Sequence, residues 1–123
     1  MKEMLSIEDI TEYLRVFSKE REWDQFHSPK NLSMSVAIEA AELMEHFQWL
    51  SLEASANLSE EVKAEVSDEM ADVLLYLVRL ADVLGINLLR SVNVKAGKNE
   101  KKYPAEAVKG SLKKYQEFRR NYK

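Results

Sequence analysis

The chain has no cysteine, only two prolines and three glycines in 123 residues, and two histidines. Without cysteine, neither a disulfide framework nor a thiolate zinc site can form. The five helix-breaking residues fall at Pro29, Gly85, Gly97, Pro104 and Gly110. They leave long stretches compatible with helix and no cluster of strand-turn signals, so the chain reads as all-α. Long apolar runs are missing as well. The longest apolar stretch, around Met70 to Leu84, is interrupted by Asp72, Arg79 and Asp82 and is too short and too charged to span a bilayer. The acidic amino terminus lacks an apolar signal core, and a cytoplasmic protein is the expectation.

What is present is enough for one domain, with 46% apolar residues to build a core. The net charge of -3 hides an uneven distribution. Residues 1 to 89 carry 7 basic and 18 acidic side chains, whereas residues 90 to 123 carry 11 basic and 3 acidic. The basic end suits a solvated tail or a partner for an anionic substrate; charge alone is a weak argument for nucleic acid, which is not expected as a partner. The expected division is a domain over residues 1–110 and a basic tail over 111–123.

Periodicity predicts four main helices. The first opens at Ser6, with Asp9 three residues on, and runs to about Trp23; Pro29 marks the break after it. The second covers about Leu32 to Leu50. The third runs from Ser59 to Leu84 and is capped by Gly85, a length of about 39 Å at the usual helical rise. The fourth runs from Asn87 to about Lys95. The third helix is apolar beyond one face, through Ala71, Leu74, Leu75 and Val78, and the second has an extra strip of Ala37, Ala41 and Met44. Helices apolar on several sides are normally buried on several sides, so a homodimer or homotetramer is expected.

Two pairs of carboxylates carry the functional argument, Glu39-x-x-Glu42 and Glu69-x-x-Asp72. At about 100° per residue, Glu39 and Glu42 lie at the edge of the stripe Val36, Ala40, Leu43, Phe47, Leu50. Glu69 falls nearly in line with Val62, Val66, Val73, Leu77 and Leu80, with Asp72 and Tyr76 to one side. An i,i+3 pair shares a helix face, so packing the two helices gathers four carboxylates. Unpaired, they would repel and be partly desolvated. Mg²⁺ first and Mn²⁺ second, hard cations that take oxygen ligands, resolve both problems. A single Glu-x-x-Glu is usually a solvated face; two pairs displaced onto apolar edges are not so easily explained. A di-iron bundle would need Glu-x-x-His on two helices, and neither His27 nor His46 follows a glutamate by three.

These pairs and their 26-residue separation resemble the signature of the MazG-like all-α nucleoside triphosphate pyrophosphohydrolases, more closely the dCTP pyrophosphatase branch. The resemblance rests on Glu22 to His27 with Asn31, Glu39 to Trp49, Asp68 to Val78 and Lys95 to Pro104. Some of the wider family carry a further acidic residue before the first motif, where this chain has Ile38. The resemblance implies an oligomeric four-helix-bundle protomer that needs Mg²⁺ and splits the α–β anhydride of a nucleoside triphosphate, with dCTP the expected substrate, to give the monophosphate and pyrophosphate. It implies Glu39, Glu42, Glu69 and Asp72 as metal ligands, with Glu42 also the base that takes the proton of water. Trp23, His27, Asn31, Trp49 and Tyr76 would surround the base, and Lys95, Asn99, Lys102 and Tyr103 would grip the phosphates. Two alternatives stay open: another nucleotide such as dUTP as substrate, or a non-catalytic helical oligomer acting as a binding module. Read without the resemblance, Trp23 and Trp49 are equally good core plugs, and Lys95 and Lys102 equally good solvated surface.

Overall fold

Each principal helix begins where a small polar side chain takes over an unpaired backbone N–H. In a computed structural model that describes residues 1–121, Ser6, Ser28, Ser51, Ser59 and Asn87 each accept from the backbone N–H three residues on. They open α1 (Ile7–Glu20), α2 (Pro29–Glu45), the short α3 (Leu52–Ser55), α4 (Glu60–Val83) and α5 (Leu88–Lys102). Two further helices, α6 (Ala105–Val108) and α7 (Leu112–Asn121), complete an all-helical chain, and no strand occurs among the described residues.

Several boundaries differ from the periodicity. Helix α1 stops at Glu20, not Trp23, because Glu22 takes a left-handed φ of 55°. That conformation costs a non-glycine residue about 1–2 kcal/mol. It turns Trp23 back so that its N–H reaches the Ser18 carbonyl at 2.9 Å. A 3-10 turn at Asp24–Phe26 follows. Pro29 begins α2 instead of merely marking a break, since proline at the first helical position gives up an N–H that would be unpaired there anyway. The same helix ends at Glu45, beyond which Phe47 and Gln48 both bond back to the Met44 carbonyl, so Trp49 and Leu50 leave the helical stripe. Gly85, at φ 68°, ends α4 as expected. Gly97 does not interrupt α5, which continues to Lys102; glycine inside a helix costs only about 1 kcal/mol.

The chain divides into two compact units, Met1–Ile86 and Asn87–Lys123. In the first, α2 and α1 both pack on α4. The core there is small: Leu14, Leu32, Val66, Val78 and Ala81 are buried, together with Ser18 and Arg79. Large apolar side chains remain exposed on both long helices, among them Met34, Ile38 and Met44 of α2 and Met70 and Leu74 of α4. In the second unit α6 packs on α7, and Tyr103, which caps α5, lies with its ring centroid 5.1 Å from that of Tyr115. The expected basic tail is thus helical over Leu112–Asn121, and its last two residues lie outside those described. No helix among the described residues is long and apolar enough to cross a membrane.

Candidate active site

Packing α2 along α4 gathers the acidic side chains of both. One carboxylate oxygen from each of Glu39, Glu69 and Asp72 lies within 4.8 Å of the others. Glu42 is a neighbour of Glu39 and Glu69 that contributes to the raised pKa of each, but it lies outside the set of three that converges. Burial, the contact with Glu42 and repulsion from the neighbouring carboxylates push the Glu39 carboxyl up to about 7. The same causes raise Glu69, partly offset by His46, whose Nε2 is 4.0 Å from Glu69 Oε1.

The cluster gathers acidic side chains, and among the described residues the His46 imidazole is the basic group in ion-pair range of it. Oε2 of Glu39 and Oε2 of Glu69 are buried and have no hydrogen-bond partner among the described residues. Buried polar atoms are normally satisfied, so two orphaned oxygens in one cluster point to a missing ligand. Several carboxylate oxygens converging from two rigid helices are the donor set of a hard divalent cation, and the residues present fit one.

Beside the cluster lies a cavity of about 230 Å³ lined by Leu14, Phe17, Ser18, Trp23, His27, Asp72, Leu75, Tyr76 and Arg79. Asp72 belongs to both the acidic cluster and the cavity wall. The aromatic side forms by edge contacts, Trp23 to Phe17 with centroids 5.7 Å apart and Trp23 to His27 at 6.3 Å. Such rings offer faces for a flat ligand as well as apolar walls.

Of the residues expected around a base, Trp23, His27 and Tyr76 line this cavity, whereas Asn31 and Trp49 do not. Asn31 instead ties the 3-10 turn to α2, donating from Nδ2 to the Phe26 carbonyl at 3.0 Å. Trp49 is 87% exposed, as follows from its place beyond the end of α2. Lys95, Asn99 and Lys102 lie in the second unit on α5, where Lys95 and Asn99 with Ser91, Val92 and Ala96 line a shallow concavity. Lys102 Nζ lies 5.2 Å from the ring centroid of Tyr103.

Sequence reasoning missed Arg79, Phe17 and Ser18. A signal for Arg79 was available: it follows Asp72 by seven and Tyr76 by three, positions on one helix face. A lone arginine in an apolar stretch needs partners, and Arg79 has them in Asp24, at 2.8 Å, and His27, at 3.1 Å.

An all-α fold whose two longest helices present a convergent carboxylate cluster beside an aromatic cavity defines a helical protein with a metal-type acidic centre. The profile of the MazG-like family matches residues 34–118, which include both carboxylate pairs. The chain is 38% identical over 117 residues to dCTP pyrophosphatase 1 of Rattus norvegicus, a match covering 94% of this chain and 69% of the rat protein. It is 37% identical to dCTP pyrophosphatase 1 of Homo sapiens, covering 92% and 68%. Among solved structures, a pyrophosphatase from Archaeoglobus fulgidus superposes with a TM-score of 0.76 at 44% identity, covering 85% of this chain and 97% of that one. The chain belongs to the MazG-like family. Its enzymatic class is nucleoside triphosphate pyrophosphohydrolase.

Proposed function

We propose that the protein hydrolyses dCTP to dCMP and pyrophosphate with Mg²⁺ at the Glu39, Glu42, Glu69 and Asp72 cluster. The observation that carries this reading is Asp72, which joins a cluster with orphaned carboxylate oxygens to the wall of an aromatic cavity. A triphosphate held on the metal side would leave its base on the cavity side. Relatives named for dCTP favour cytosine as that base.

Bound Mg²⁺ would supply neutralisation of the triphosphate and a lowered pKa for coordinated water. The chain's own residues do the rest. Glu42 takes the proton as water adds to one phosphorus of the α–β anhydride; the bridging P–O bond breaks, leaving the monophosphate and pyrophosphate. Trp23 and Tyr76 enclose the ring while His27 meets its edge. Lys95, Asn99, Lys102 and Tyr103, in the second unit, are the candidate phosphate contacts, and Trp49, exposed beyond the end of α2 and outside the cavity, is a further candidate for the base. On the sequence division, residues 1–110 are assigned as the catalytic domain and residues 111–123 as a basic extension, although the compact units divide between Ile86 and Asn87.

The exposed apolar faces of α2 and α4 support assembly into a homodimer or homotetramer, since patches of this kind on a single chain mark association sites. A cytoplasmic setting, where nucleotides are held, accompanies the reading. The deciding experiment is a panel of deoxynucleoside and nucleoside triphosphates with and without Mg²⁺, reading pyrophosphate release. Release greatest with dCTP and lost in chelator is expected; release from no nucleotide would overturn the reaction, and a preference for another base would overturn the substrate.

A further inference from the structure

The wall of the cavity also holds a buried cation. Arg79 of α4 is only 9% exposed. Its Nε–H donates to His27 Nδ1 at 3.1 Å, its Nη2 donates to Asp24 Oδ1 at 2.8 Å, and its Nη1 lies 3.5 Å from Asp82 Oδ2. A guanidinium has N–H donors and no acceptor, and it does not lose its proton in proteins. The Nδ1 that faces it must therefore present a lone pair. Ser18 Oγ, at 3.5 Å from the same nitrogen, can only donate there as well.

A neutral imidazole with a bare Nδ1 carries its hydrogen on Nε2. Burial and the adjacent guanidinium hold the His27 pKa below its ordinary value, which keeps the ring neutral, although Asp24 opposes this in part. Nε2 makes no hydrogen bond among the described residues, and the ring lines the cavity. The cavity is thus offered a donor of fixed polarity.

We propose that Arg79 and Asp24 are positioning residues that lock His27 as an Nε2–H donor, so that the cavity takes a pyrimidine with an acceptor at ring N3 and rejects one with N3–H. Cytosine has the acceptor; uracil and thymine carry the hydrogen. The inference rests on the reading of this cavity as the base site and adds how that site tells pyrimidines apart. A donor facing N3–H leaves two buried N–H groups unpaired, and polar mismatch of that kind discriminates more strongly than shape. The freed tautomer, with its lone pair on Nε2, would accept from N3–H and lose the distinction.

The test uses ¹⁵N-labelled full-length protein, in which only His27 and His46 contribute imidazole signals; H27Q assigns those of His27. In the wild type, the nitrogen shifts are expected to show a bare Nδ1 and a protonated Nε2. Titration with dCMP and dUMP, followed through the same signals, is expected to favour dCMP. R79A is expected to mix the tautomers and reduce the dCMP-to-dUMP affinity ratio about tenfold, the size of one hydrogen bond's discrimination. R79K, which keeps a cationic donor, is expected to restore part of that ratio, and D24N to weaken it.

A hydrogen on Nδ1 in the wild type overturns the lock, and that measurement needs no variant to fold. An unchanged ratio in folded R79A, or equal weakening for both nucleotides, overturns the role in selection. If dCMP binds selectively and depends on Arg79 while no triphosphate releases pyrophosphate, the proposed reaction fails and this inference stands. If pyrophosphate is released from dCTP but the ratio ignores Arg79, the reverse holds.

Discussion

Helix α4 carries two charged clusters two turns apart, and they solve the problem of a partly buried charge in opposite ways. At Arg79 and Asp82 the solution is internal. Arg15 of α1 meets Asp82 through both Nε and Nη2, at 2.8 and 2.6 Å, and Arg79 lies between Asp82 and Asp24. Two cations and two anions close a neutral chain, and the Asp82 carboxyl is held below its ordinary value chiefly by its hydrogen bonds from Arg15. At Glu69 and Asp72 no such chain is found among the described residues: the carboxyls of Glu39 and Glu69 are raised, and two buried oxygens are orphaned. Charges neutralised by the chain are architecture, whereas charges that the chain gathers and leaves unanswered mark where something else binds.

The largest effect that separates the two clusters is expected from Glu69→Gln. Changing residues that merely support metal ligands costs about 10–100-fold, so losing a ligand should lower turnover at least about 100-fold. In chelator the same variant should melt at the same temperature as wild type or higher, because one of several repelling charges has gone. A variant as destabilised in chelator as in Mg²⁺ would make Glu69 a structural partner and dissolve the contrast.

Asp82→Asn should behave in the opposite manner. It breaks a charge-assisted pair that no ion replaces, and it should cost about 1–2 kcal/mol with or without Mg²⁺, near the low end for charged hydrogen bonds because Arg15 is more than half exposed. Urea unfolding in both buffers would check it; a loss seen only with Mg²⁺ would tie Asp82 to the metal cluster.

The pH dependence should differ in sign and in window. Glu39 titrates near 7 when folded against an ordinary 4.5, so the folded metal-free protein binds more protons in that interval and its stability falls as pH rises through it. Asp82, lowered from 3.8, contributes stability that is present above that value and lost on acidification below it. His27, lowered from 6.5, works against Glu39 by adding stability as pH rises toward 6.5. Comparison with Glu39→Gln isolates the carboxylate: melting temperatures in chelator should fall between pH 5 and 8 more steeply in wild type. Parallel profiles would show that Glu39 is not raised.

The smallest effect should come from Trp49→Ala. A side chain so exposed supports little of its own fold, and surface truncations usually lie within about 0.5 kcal/mol. Nucleotide selectivity should nevertheless change if Trp49 serves the base, as read from the pyrophosphate-release panel. Loss of stability without loss of selectivity would make Trp49 a packing residue.

Much of this was legible in residue order because it depends on local periodicity. The i,i+3 spacing of Glu39 with Glu42 and of Glu69 with Asp72 placed each pair on one helix face, and Ser6, Ser59 and Gly85 announced helix ends through their own backbone chemistry. Less legible were ends decided by competition. Pro29 reads equally as a breaker or as a first residue, and Glu22 gives no sign of its left-handed turn. The separation of Trp23, His27 and Tyr76 from Asn31 and Trp49 followed from those ends.

The sequence by itself determined an all-helical chain, its two carboxylate pairs and the helix faces that bear them, since each follows from the 3.6-residue repeat. Only the tertiary structure decided that Glu39, Glu69 and Asp72 share one locus, that Asp72 also faces an aromatic cavity, and that Arg79 is bound to Asp24 and His27 across more than fifty residues. Those relations depend on how α2 and the turn before it pack on α4, and helix periodicity specifies which face is presented but not what it meets.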